Sequence, residues 1–179
     1  MLKITIPENE MWDEVNERFV QVKETTISLE HSLVSISKWE AKYHKSFINT
    51  KEKSVEEIVD YIKFMTLTQN VPDVVYLFLT EENYKSINDY ISDPMTASSV
   101  NDEKKTGRGE VMTSELLYYY MFANGIPKEC EKWHLNRLIM LIKIFGAKSE
   151  PPQKMNKVAT AKKWANLNAQ RRKALGTKG

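Results

Sequence analysis

Cys130 and His134 stand four residues apart, the spacing that brings two side chains onto one face of a helix. A thiol and an imidazole so placed offer two chemistries. They could share a metal ion, but Zn²⁺ needs further ligands and the spacing marks none. They could act as nucleophile and base, with the more distant His31 as an alternative base, but no third residue is placed to orient the imidazole. The structural reading is a small buried thiol and a core histidine with one hydrogen bond, because both fall on an apolar stripe. Glu30-His31 is the other acid–histidine pair, and it reads as a helix start satisfying backbone groups. Gly107-Arg108-Gly109 lacks the pattern of a phosphate-binding loop and follows no clear strand. No metalloprotease, nucleophile-elbow or EF-hand motif is present. The expectation is a protein that is not an enzyme, with no catalytic residue, no metal and no cofactor.

The charge pattern points instead to binding. The chain of 179 residues carries a formal charge of +2, which hides an asymmetry. Residues 151–179 hold eight of the 26 basic residues and no acid, so residues 1–150 hold 18 basic against 24 acidic residues, a net −6. An acidic body with a +8 tail implies an acidic partner for the tail, whether nucleic acid, another protein or a neighbouring copy of this body. Cys130 is the only cysteine, which excludes an intrachain disulfide. No apolar run approaches the ~18–20 residues of a membrane span, so no membrane role is expected. Met1-Leu2-Lys3-Ile4 has none of the features of a signal peptide, and a cytoplasmic location is expected.

The elements that must position these residues are mainly helical. Residues 1–28 read as a β-hairpin: Lys3–Ile6 and Arg18–Lys23 alternate polar and apolar residues around a turn with Pro7, Asn9 and Asp13. Thr26–Leu29 is a candidate third strand. Residues 29–150 read as a helical body on which the hairpin packs. Leu29, Leu33, Ile36, Trp39 and Tyr43 share one helical face. Ser54 and Glu57 match a capping box ahead of a stripe of Val55, Ile58, Val59, Ile62 and Met65. Val74–Leu79 reads as a short helix. Thr80 caps a helix to about Ile91 with Tyr84, Ile87 and Ile91 inward, and residues 98–110 read as a mobile loop. Thr113 or Ser114 caps a helix that is apolar nearly all round, and Leu117, Tyr118, Tyr119, Met121 and Phe122 on it are candidates for self-association into a homo-oligomer. Pro127 opens a helix that carries Cys130, His134, Leu138, Leu141 and Phe145, and Gly146 is placed to stop it.

Pro151-Pro152 marks the boundary to the tail, residues 151–179, where Met155–Leu175 is composed of good helix formers. Val158, Trp164, Leu167 and Leu175 read as not sharing a face, so this helix alone should fray. The tail's candidate partner-binding residues are Lys162, Lys163, Trp164, Leu167, Arg171, Arg172 and Lys173. A tryptophan among cations could stack on a base or anchor in a protein groove.

Longer runs resemble a known family. Leu29-Glu30-His31-Ser32-Leu33 and Ser35–Glu40 begin the resemblance. It continues through Met65–Val71, Pro94-Met95-Thr96-Ala97 and Thr113–Leu116, is densest over Ile126–Leu138, and ends in Leu167-Asn168-Ala169, Arg171-Arg172 and Leu175–Gly179. In these runs, which span nearly the whole chain, the protein resembles small proteins of the tail-gene cluster of long-tailed bacteriophages. Lys128 and Glu131 depart from that family, which has an aromatic residue and Gln there. The resemblance implies a largely helical tail-assembly chaperone that binds the phage tape-measure protein in the host cell cytoplasm. Two alternatives stand beside it: a nucleic-acid-binding module that uses the basic tail, and a structural protein of the tail or head–tail junction.

Overall fold

The computed structural model describes residues 1–13, 17–98, 111–149 and 157–176. It is mainly helical, with a small antiparallel β region at the N-terminus and a basic helix at the C-terminus. The chain divides into two units, residues 1–146 and residues 147–179. The Pro151-Pro152 boundary and nearly all of the loop expected at 98–110 lie outside the described residues.

Strands β1 (Leu2–Ile6), β2 (Asn9–Asp13), β3 (Arg18–Val22) and β4 (Thr25–Leu29) form two antiparallel ladders, β1 with β4 and β2 with β3. This corrects the pairing expected from the alternation. Lys3–Ile6 does not pair with Arg18–Lys23; Ile4 faces Ile27 and Leu2 faces Leu29. Residues 9–13, expected to turn, form β2 instead. Its Trp12 meets Phe19 edge-on at 4.9 Å, the kind of cross-strand aromatic contact that stabilises a ladder. Ile4, Ile6, Ile27 and Leu29 point into the core, while Thr5 and Thr26 bond each other on the outer face.

Helix α1 spans Leu33–Tyr43. It starts four residues later than expected because Leu29 ends β4 and Ser32 closes a capping box with Ser35. The connection from β4 to α1 is a hub of backbone pairing. Glu30 N–H donates to the Met65 carbonyl at 2.9 Å, Leu67 N–H to Ser28 at 2.8 Å, and Leu135 N–H to His31 at 2.7 Å. Helix α2 (Val55–Met65) has the expected Ser54/Glu57 capping box. Ile62 and Met65 are buried and Val59 partly buried, as the stripe predicts, but the face is rotated at the N-terminal end: Val55 is 76% and Ile58 39% exposed, and Tyr61, outside the stripe, is buried. The indole of Trp39 fixes that rotation by donating to the Glu57 carbonyl at 3.0 Å.

A 3₁₀ helix covers Asp73–Phe78, and α3 spans Glu81–Ser92 behind a Thr80/Asn83 capping box. Helix α4 (Ser114–Ala123) is capped by Thr113. It ends in a Schellman motif: Gly125 takes φ +66°, Ile126 N–H reaches Met121 and Gly125 N–H reaches Phe122. The single helix expected from Pro127 to Gly146 is two elements, a 3₁₀ helix at Lys128–Lys132 and α5 at Leu135–Ser149. Trp133 is extended between them because Ser32 and His134 form a β-bridge that intercepts the helix. Gly146 does not stop α5. In the second unit, α6 spans Lys157–Leu175.

Candidate functional site

Helix α2 packs along α1, and α3 packs along β1. The gap left between α2 and α3 is a groove of about 680 Å³. Buried Tyr61, Ile62 and Ile87 form its floor, and the exposed Val55 and Ile58 stand on its edge. The segment after α1 completes the wall with Phe47, Lys51 and Lys53. Apolar residues that reach solvent along a concave surface mark a place for a ligand or partner rather than a finished core.

Beneath the groove lies a buried polar cluster. Phe47 packs on Tyr61 with ring centroids 4.0 Å apart. The Tyr61 hydroxyl is 2.5 Å from His31 Nδ1 and 3.4 Å from Ser35 Oγ. The His31 ring meets the His134 ring edge-on at 5.1 Å. His134 Nε2 donates to the Tyr90 carbonyl at 2.9 Å, and its Nδ1 accepts from Asn136 N–H at 3.3 Å. Burial, aided by the neighbouring His134, holds the His31 pKa down to about 3. Burial drives the Tyr61 phenol far above its usual range. A neutral imidazole and a protonated phenol therefore face each other, with the phenol donating.

This cluster is built to be satisfied rather than reactive. Both ring nitrogens of His134 are engaged, so it has no free lone pair with which to activate Cys130. Cys130 is buried on a different element, the 3₁₀ helix. Among the described residues no group of three or more His, Cys, Asp or Glu could hold a metal ion. No described helix is long and apolar enough to cross a membrane.

The residues singled out for self-association separate. Leu117 and Met121 are in the core, where no second copy can reach them. Tyr118 is partly buried and donates to Glu131 at 2.9 Å; burial first, then that carboxylate, pushes its pKa up to about 12. Only Tyr119 and Phe122 of this set are largely exposed. On α6, Lys162, Trp164, Arg171, Arg172 and Lys173 are exposed and Leu167 is partly so, while the side chain of Lys163 lies outside those described. Once α6 is continuous, Trp164, Leu167 and Leu175 do share a side, because eleven residues make close to three turns of 3.6. Val158 falls off that stripe, and Arg171 sits within it.

Two features escaped the sequence reading. Buried Glu40 accepts from Phe47 N–H at 2.8 Å and from Ser114 N–H at 2.6 Å, so one carboxylate ties α1 to the groove wall and to the N-terminus of α4. Lys53 donates to the Thr50 carbonyl at 2.7 Å and lies 4.3 Å from the centre of the Phe47 ring. Nothing local in the sequence announces either contact. Glu40 bridges 74 residues to Ser114, and Lys53 depends on how the chain folds back after α1.

The fold is that of a mainly α protein with an open apolar cleft between α2 and α3. No family model, no curated protein and no solved structure matches this chain.

Proposed function

We propose that this protein is a phage tail-assembly chaperone that holds an apolar helical stretch of the tape-measure protein in the α2–α3 groove during tail morphogenesis. The observation that carries this reading is the open apolar groove, with Val55 and Ile58 unburied beside a floor of Tyr61 and Ile62. A tape-measure protein is long, helical and apolar in stretches, and a bare stretch of that kind aggregates. A three-turn groove can cover the apolar face of such a helix. The resemblance over nearly the whole chain supports the same role, which is non-enzymatic and belongs in the host cell cytoplasm. The exposed cations of α6 add long-range attraction, and Trp164 adds an anchor.

The test is titration of purified tape-measure protein against the full chain and against a chain ending at Gly146, each over a range of salt. Micromolar or tighter binding by the full chain, weakened by truncation, is expected. The exposed Trp164 among Lys and Arg favours the nucleic-acid reading as the competitor. Unchanged tape-measure binding after truncation, together with tight, steeply salt-dependent binding of RNA or DNA by the full chain, would establish that competitor instead.

A further inference from the structure

We infer that the α2–α3 groove selects an amphipathic helix whose apolar stripe is bordered by carboxylates, in preference to a basic helix such as α6 of a second copy. This rests on the protein-binding reading above and adds the chemistry of the partner. The groove follows α2, whose eleven residues run about 16 Å at 1.5 Å each. That length seats three turns of a partner helix, with apolar anchors at i, i+3 or i+4, and i+7.

The rim sets the charge. Lys42 and Lys45, on the neighbouring turn, each hold a carboxylate, Asp60 and Glu57. Lys53 has no such partner among the described residues, although it is half-buried and Glu52 lines the same groove. Its ammonium rests on one carbonyl and on the faces of Phe47 and Trp39, 4.3 and 5.9 Å away. Burial lowers its pKa: the Glu57 carboxylate attracts it, but Glu57 is already held by Lys45, which repels it, and the loss of water outweighs that attraction. Exposed Lys51 stands beside it. A carboxylate on the incoming helix would give Lys53 a direct ion pair at the mouth of the apolar floor.

The same rim disfavours the tail. The stripe of Trp164, Leu167 and Leu175 is narrow enough for the groove, but Arg171 interrupts it and Arg172 flanks it. Inserting α6 would bring these guanidinium groups against Lys51 and Lys53. Like-charge juxtaposition is the ordinary way a binding groove rejects a wrong partner.

The experiment uses the full chain and three labelled peptides, read by fluorescence anisotropy. Two are synthetic helices with leucines at i, i+3, i+4 and i+7, flanked by Glu in one and by Lys in the other. The third is residues 157–175 of this chain. The Glu-flanked helix is expected to bind at least ten-fold more tightly than either basic peptide. Ile58→Asp should weaken it at least ten-fold, and Val55→Asp, at a still more exposed position, should do so without risk to the fold. Lys51→Glu should narrow the preference about five-fold, the scale of an exposed charge pair. Equal or tighter binding of a basic peptide, no binding of the Glu-flanked helix, or binding indifferent to both groove variants would overturn the inference. Titrating tape-measure protein against the same variants separates the two readings. Tape-measure binding that survives both groove variants removes the groove inference and the groove as the place of capture, and leaves only a chaperone that binds elsewhere. Selective binding of the Glu-flanked helix with no tape-measure binding by the full chain keeps the inference and removes the chaperone.

Discussion

Acidification should destabilise this protein through His31 well before its carboxylates titrate. His31 is 3% exposed, and its pKa falls from 6.5 to about 3 in the fold, with burial the main cause and His134 the second. Its Nδ1 accepts from Tyr61, whose phenol stays protonated, so a proton on that nitrogen would also break the contact. The unfolded chain takes up a proton below pH 6.5 that the native state refuses. The stability contributed by the neutral ring is therefore fully present above pH 6.5 and is lost as pH falls from there toward 3. At 1.36 kcal/mol per pH unit, the loss between pH 7 and pH 5 is about 2 kcal/mol. Any native value below about 4 gives the same loss at pH 5. For a body of this size the thermal midpoint should fall by roughly 4–8 °C. The assay is urea unfolding followed by tryptophan fluorescence from pH 7.5 to 5. His31→Gln is the reference: it lacks this titrating group and should lose about 2 kcal/mol less over the same range, from a lower starting stability. Parallel profiles for the two proteins would refute the assignment of the loss to His31.

Glu40→Ala leaves the buried N–H of Ser114 and the part-buried N–H of Phe47 without an acceptor; at about 1–3 kcal/mol for the first and less for the second, urea unfolding should show a loss of roughly 1.5–4 kcal/mol. Glu40→Gln, which keeps one acceptor oxygen, should lose less; a loss under about 1 kcal/mol for the alanine variant would refute the bridging role. Cys130 is buried, so a thiol reagent should label it slowly in native buffer and rapidly in urea, and immediate native labelling would contradict its place in the core. Trp164 is 58% exposed, so Trp164→Ala should leave the thermal midpoint within about 2 °C, as measured by calorimetry.

Much of the helical frame is readable from local chemistry. The Ser54/Glu57 capping box and the Thr80 and Thr113 caps lie where their side chains demand, because a cap is made within four residues. The errors arise where a distant strand or side chain decides. The nested ladders depend on Ile27 and Leu29 meeting β1 across more than twenty residues. The break at Trp133 depends on Ser32, about a hundred residues away. The rotation of α2 depends on Trp39. The groove was not legible for the same reason. It is the space between two helices that each pack on something else, and no run of residues encodes a gap. Its edge was misread as core because Val55 and Ile58 do fit a helical stripe. The tail's charge needs no tertiary information and is plain in composition.

The groove and the tail differ in range, and that difference separates what each can contribute if the chaperone reading holds. Charges on α6 act over roughly a Debye length, about 8 Å at physiological salt, before any surfaces touch. They can raise the frequency of productive encounters but hold little once neighbouring ions compete. The groove acts only on contact, where apolar area leaves water and the lifetime of the complex is set. Neutralising Arg171, Arg172 and Lys173 should then slow association and flatten its salt dependence, with little change in dissociation. Ile58→Asp should hasten dissociation and leave the salt slope in place. Rate constants that moved together in both variants would mean that the tail and the groove form one contact surface.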